Sequence, residues 1–210
     1  MHTRIKICGL TREADVAIAC SAGADAVGFV CYPNSPRYVA PHRLRSLVGE
    51  LGPFTVPVLL FVNAAPDLIE ATRDAVPAAV LQFHGDEQEP ACARYGAPYV
   101  RAVRMTEGVD LIDCERLFSS AAALLLDTPS EAYGGSGQAF DWSRIPAQRT
   151  KRVILAGGLD SDNVTRAVQS VRPYAVDVSS GVEEAPGIKS ATRIRDFVDA
   201  VRRADQRDPQ

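Results

Sequence analysis

Short apolar runs alternate along the chain with stretches whose apolar residues recur every three or four positions. The runs predict strands at Arg4–Cys8, Asp25–Val30, Val56–Val62, Ala79–Phe83, Tyr99–Val103, Ala122–Asp127, Arg152–Ala156 and Ala175–Val178. The intervening spacing predicts helices over Arg12–Ala22, Pro41–Glu50, Pro66–Ala75, Gln88–Tyr95, Asp110–Phe118, Asp162–Val171 and Ser190–Arg203. Only a weak helix over Asp141–Ile145 separates the sixth strand from the seventh. Thr11, Ser161 and Ser190 stand where helix N-caps belong.

Eight strand–helix units predict one α/β domain over residues 1–210, a (β/α)8 TIM barrel at the compact end of its size range. A doubly wound open sheet is the alternative. Such sheets usually carry a glycine-rich turn after the first strand, and "CGLTRE" has a single glycine. The terminal "RRADQRDPQ" suggests a frayed tail over 204–210.

Composition narrows the class. The 210 residues carry a formal net charge of −3, with 46% hydrophobic residues. No basic block favours a nucleic-acid partner. No apolar run approaches the roughly 20 residues that span a membrane. The start, "MHTRIKICGL", lacks a signal-peptide pattern, so a cytoplasmic location is expected. The five cysteines include no CxxC pair and are odd in number. Reduced thiols fit that pattern better than a disulfide framework or a zinc cage.

In a barrel of this kind the active site lies at the C-terminal ends of the strands. Cys8 closes the first predicted strand and Asp127 the sixth. Arg37 lies in the loop after the second, and His84 follows the fourth. Gly157 and Gly158 follow the seventh, and Ser179, Ser180 and Gly181 the eighth. Loops at these last two places commonly hold phosphate through backbone N–H groups. The two acids after Val182 do not favour an anion and are expected to point away. A lone strand cysteine is ordinarily a small core residue. A carboxylate ending a buried strand must be hydrogen-bonded, paired or functional. Strand parity puts Lys6 and Cys8 on one face, with Ile5 and Ile7 on the other. It also pairs Asp127 with Leu125, His84 with Gln82, and Asp177 with Ala175. The first and eighth strands of a closed barrel are neighbours, which predicts a buried Lys6–Asp177 ion pair beneath the site.

Together these motifs resemble the phosphoribosylanthranilate isomerase family of tryptophan biosynthesis. The matching segments are "KICGL", "GADAVGFVCYPNSPRYV", "LLFVN", "LQFHGDE", "LLLDT", "GGSGQAFDW", "LAGGL", and "DVSSGVE" with "PGIKS". They run from Lys6 to Ser190. The resemblance implies a (β/α)8 barrel with no metal or organic cofactor and a phosphosugar substrate. It implies an Amadori rearrangement of N-(5-phosphoribosyl)anthranilate to 1-(2-carboxyphenylamino)-1-deoxyribulose 5-phosphate. Cys8 matches the general base and Asp127 the general acid. Arg37 matches a residue beside the anthranilate carboxylate, and the loops at Gly157–Gly158 and Ser179–Gly181 match the phosphate site. His84 is expected to be a hydrogen-bonded polar residue at the barrel mouth, in contact with substrate. The GGSG at Gly134–Gly137 is expected to be a mobile loop that closes over substrate. A monomer or a homodimer fits equally.

Ordinary pKa values, near 8.5 for Cys and 3.9 for Asp, leave both groups mostly in the wrong charge state at neutral pH. Burial is expected to raise Asp127, and Lys6 to favour the Cys8 thiolate. Gly9 is expected to make room beside the thiol.

Rival enzymes of the same fold need features the chain lacks. A metal-dependent pentose-phosphate epimerase needs several histidines and acids at strand ends, and the histidines are only His2, His42 and His84. Indole-glycerol-phosphate synthase needs a lysine near the strand ends. The aminosugar isomerisation of histidine synthesis would favour a second phosphate loop pair in the first half of the barrel. A non-catalytic phosphosugar-binding regulator would keep the phosphate loops without needing Cys8 or Asp127.

Overall fold

The computed structural model describes residues 2–129 and 139–206. Eight parallel strands close into a barrel in sequential order. They are β1 (Arg4–Cys8), β2 (Ala26–Val30), β3 (Val56–Phe61), β4 (Val80–Phe83), β5 (Tyr99–Arg104), β6 (Ala123–Asp127), β7 (Arg152–Leu155) and β8 (Ala175–Val178). Around them lie α1 (Glu13–Ala22), α2 (Pro41–Val48), α3 (Pro66–Ala75), α4 (Glu89–Ala93), α5 (Leu111–Leu117), α6 (Val164–Val171) and α7 (Ala191–Gln206). A small antiparallel hairpin, β9 (Glu183–Ala185) and β10 (Ile188–Lys189), follows β8.

Alternation on the strands builds two cores. Ile5, Ile7, Leu124 and Leu126 face outward and pack with the helices in the large core. Leu125, Ala123, Ile154, Ala156 and Ala175 face inward and fill part of the barrel with mostly small side chains. Lys6 and Asp177 also face inward and lie opposite each other in the β1–β8 register. Lys6 Nζ donates to both Asp177 carboxylate oxygens at 2.9 Å, the pair that parity predicts.

Differences from the sequence expectations are local. α4 is shorter than expected, because the chain turns at Gly96 with φ +61°. α6 starts late because Asp160 Oδ1 accepts the N–H groups of Asp162 and Asn163 at 2.9 and 3.0 Å, holding them in a turn. The segment around Asp141–Ile145 is a single 3-10 turn, Trp142–Arg144. Thr11 does not cap α1: its hydroxyl donates to the Gly187 carbonyl at 2.6 Å. Asp110 caps α5 instead, accepting from the Ile112 N–H at 2.7 Å. Residue 204 does not begin a frayed tail. α7 runs to Gln206, Ala204 is buried, and Asp205 accepts from the Thr3 N–H and hydroxyl. Gly134–Gly137 lies outside the described residues.

Candidate active site

A cavity opens at the C-terminal ends of the strands. It is open to solvent on one side and lined by residues that follow or end β1, β2, β3, β4, β6, β7 and β8. Its chemistry changes around the barrel. Val30, which ends β2, and Tyr32 just beyond it, with Leu60 and Val62 of the β3 arm, form an apolar wall. Gly157, Gly158, Ser179 and Ser180, after β7 and β8, form the wall on the other side of β1. Cys8 ends β1 between these walls, and Asp127 ends β6 beside β7. His84 lines the same cavity. Arg37 and Gly181 do not line it.

Two glycines admit the reactive side chains. Gly28 lies beside Cys8 in the β1–β2 register. A Cβ there would sit 2.7 Å from Cys8 Sγ and 3.0 Å from Lys6 Nζ. The room beside the thiol therefore comes from the neighbouring strand and not from Gly9. A Cβ on Gly9 would instead meet Arg37 Cδ at 2.5 Å. Gly157, at φ +78°, lets Asp127 and Thr128 approach: a Cβ there would lie 2.8 Å from Asp127 Oδ1 and overlap the Thr128 nitrogen. Gly181 serves packing, because a Cβ there would overlap the Leu159 carbonyl oxygen. Among the described residues, the N–H groups of Gly157 and Gly158 meet no acceptor, which leaves donors at the cavity wall.

Burial sets the charge states. It pushes the Asp127 carboxyl up to about 6, helped by repulsion from Asp177 and opposed by the Thr128 N–H it accepts at 2.8 Å. Burial also raises the Cys8 thiol. Lys6 pulls it down, Asp177 pushes it up, and burial prevails. Lys6 thus works in the expected direction without making the thiolate the resting form. Burial opposes the Lys6 ammonium as well, but Asp177 and Cys8 outweigh it and hold Lys6 protonated. His84 is driven down to about 3 by burial and by Lys6, Arg101 and Arg104. It is neutral at pH 7, too weak a base for proton abstraction, and its ring Nε2 meets Gln82 Nε2 at 2.6 Å.

One acid breaks the expected pattern. Glu184 is exposed, as anticipated, but Glu183 is buried and turned inward. It binds Arg37 through two parallel hydrogen bonds, Nε to Oε1 at 2.8 Å and Nη2 to Oε2 at 2.6 Å. Lys189 Nζ reaches the same carboxylate at 2.8 Å. Burial opposes the Glu183 charge, yet Arg37 and Lys189 hold it below the usual carboxylate range. The sequence signal for this cluster was the "PGIKS" segment, whose lysine returns to the acid across a short hairpin. Among the described residues no cluster of His, Cys, Asp and Glu stands ready to hold a metal ion. No described helix is long and apolar enough to cross a membrane.

A thiol and a carboxyl whose pKa burial raises share one cavity at the strand ends of a closed (β/α)8 barrel, the place where enzymes of this class carry their active sites. A sequence model described as N-(5'phosphoribosyl)anthranilate (PRA) isomerase matches residues 5–200. The N-(5'-phosphoribosyl)anthranilate isomerase of Methylibium petroleiphilum is 56% identical over 99% of this chain and 97% of its own length. The crystal structure of phosphoribosyl anthranilate isomerase from Thermotoga maritima superposes with a TM-score of 0.88 at 39% identity, covering 95% of this chain and 98% of that one. Another structure of the enzyme, in complex with reduced 1-(o-carboxyphenylamino)-1-deoxyribulose 5-phosphate, gives a TM-score of 0.81 at 35% identity over 95% and 98% of the two chains. The chain belongs to the N-(5'-phosphoribosyl)anthranilate isomerase family. It is an isomerase of tryptophan biosynthesis.

Proposed function

We propose that Cys8 and Asp127 are the general base and general acid of an Amadori rearrangement in this cavity. The observation that carries the reading is their placement. Cys8 and Asp127 face one cavity whose β2–β3 wall is apolar and whose β7–β8 wall offers backbone donors. An anthranilate ring suits the first wall and a phosphate the second. The ribose then lies between them, beside both reactive groups.

The steps follow from that pose. The protonated Asp127 carboxyl gives its proton to the ribose ring oxygen. The bond from that oxygen to C1' breaks, and the nitrogen lone pair closes a C1'=N iminium. The Cys8 thiolate removes the C2' proton, and the electron pair forms the C1'=C2' bond of an enolamine. That species takes a proton at C1' and loses the C2' hydroxyl proton, giving the ketose. The proton held on Cys8 replaces the one lost by Asp127 through solvent, so the cycle consumes none. A carboxyl pKa of about 6 suits this acid, because an ordinary aspartate would hold a proton too rarely near neutrality.

Arg37 takes the anthranilate carboxylate. Two of its nitrogens are engaged by Glu183, and Nη1 has no partner among the described residues. Neutral His84 contacts substrate as a hydrogen-bonding group. Gly157, Gly158, Ser179 and Ser180 hold the phosphate, and Gly181 shapes their loop. The chain works as a single domain, as a monomer or homodimer, in the cytoplasm, without metal or organic cofactor.

The test follows the loss of phosphoribosylanthranilate fluorescence with purified protein. Cys8→Ser and Asp127→Asn should each lower turnover by at least about 100-fold, the scale of general acid–base catalysis. Near-native turnover in either variant removes that residue from the mechanism.

A further inference from the structure

Glu183 lies outside the cavity lining, yet its carboxylate is only 5% exposed and accepts from four donors. These are Arg37 Nε and Nη2, Lys189 Nζ, and the Gly187 N–H at 3.2 Å. Replacing such a buried charge cluster with apolar packing often leaves stability unchanged or improved, so stability alone explains it poorly. The two cations lead to different parts of the site. The Arg37 stem crosses Gly9, the residue after Cys8. Lys189 Nζ, fully buried, continues to the Ser179 carbonyl at 3.0 Å and its hydroxyl at 3.4 Å. Ser179 opens the loop that lines the β8 side of the cavity. Over Gly9 the two branches meet, since a Cβ there would touch both Arg37 Cδ and, at 3.0 Å, Ser179 Oγ.

Paired hydrogen bonds fix the plane of a guanidinium as well as its position. Glu183 takes one edge of Arg37 and so decides where the free Nη1 points. Two cations and one anion leave the cluster a net charge of +1, which suits an anionic substrate group.

We propose that Glu183 is a positioning residue. It aims Arg37 at the anthranilate carboxylate, and Lys189, anchored on Ser179, braces the Glu183 carboxylate from its other side. This rests on the reading above that Arg37 meets the carboxylate.

A paired-substrate assay tests it. Glu183→Gln is compared with wild type on phosphoribosylanthranilate and on N-(5-phosphoribosyl)aniline, which lacks the carboxylate. Misaiming Arg37 should raise KM for the first substrate by on the order of 10–100-fold. Its kcat should stay within about threefold, since the contact is equal in ground and transition states. The aniline substrate should lose less than about threefold. Arg37→Met should show the same split, and adding Glu183→Gln to it should cost no more than about twofold further. Equal losses on both substrates, or an additive double variant, overturn the proposal. No split in Arg37→Met sinks the reading of Arg37 and the proposal with it. A split there but none in Glu183→Gln removes Glu183 alone. Should Glu183→Gln fail to fold, the same comparison applies to Glu183→Asp, which keeps the charge but is one carbon too short to hold Arg37 and Lys189 together.

Discussion

Asp127→Asn should stabilise the protein at alkaline pH while abolishing its chemistry. Asp127 titrates at about 6 in the folded chain against 3.8 for a free carboxyl. A group with a raised folded-state pKa favours folding below its unfolded pKa and loses that contribution as pH climbs through the folded value. At pH 8 its ionisation therefore opposes folding by about 3 kcal/mol. The side chain is partly exposed to the cavity, and solvent screening reduces this to about 2 kcal/mol. At pH 4 the same linkage leaves only about 0.5 kcal/mol. Asparagine removes the charge and keeps an oxygen to accept the Thr128 N–H. Urea unfolding of both proteins at pH 4 and pH 8 reads the difference directly. The variant should gain about 2 kcal/mol at pH 8 and almost nothing at pH 4. An equal change at both pH values, or a loss at pH 8, refutes the argument that burial strains this carboxylate.

Two further predictions bear on the same site. On the proposed assignment the productive form carries Asp127 protonated and Cys8 ionised, so kcat/KM should be flat at neutral pH, fall below about 6, and fall again above the ordinary thiol range. A rate that climbs steadily from about pH 6.5 to 8 contradicts the assignment. Gly28→Ala should displace the thiol, because the new methyl would lie 2.7 Å from Cys8 Sγ. Its kcat should drop by on the order of 100-fold with the circular dichroism spectrum retained, and a kcat near wild type would show that the barrel absorbs the clash.

The barrel was legible in the sequence because its strands alternate cleanly between two environments. "RIKIC" puts isoleucines outward and Lys6 and Cys8 inward, and the closed strand order brings Lys6 to Asp177. The strand-end positions of Cys8 and Asp127 followed from the same alternation. What stayed hidden depends on side chains meeting across long separations. Glu183 was expected to shun an anion site, and on a bare loop that argument holds. Arg37 and Lys189 reverse it by surrounding the carboxylate, and no local pattern announces that Arg37 folds back over Gly9. The space beside Cys8 was credited to its chain neighbour Gly9, whereas parallel pairing sets Gly28 opposite. Helix starts were misread where a hydroxyl found a distant partner, as Thr11 does at Gly187.

Burial acts on both reactive groups in the same direction, and the consequences differ. For Asp127 it raises the fraction that can donate a proton near neutrality. For Cys8 it lowers the fraction that can accept one. With Asp127 at about 6 and an ordinary thiol near 8.5, at most about one molecule in 300 holds both protons correctly between those values. A further rise at Cys8 lowers that fraction again. The same rise makes the thiolate, once formed, a stronger base, and proton abstraction from carbon gains from basicity. Population and reactivity therefore partly offset each other. Lys6 limits the loss because it is already charged, already held by Asp177, and close enough to lower the Cys8 pKa. Its place beneath the thiol tempers the burial penalty on the thiolate without removing the low-dielectric surroundings that keep the base strong.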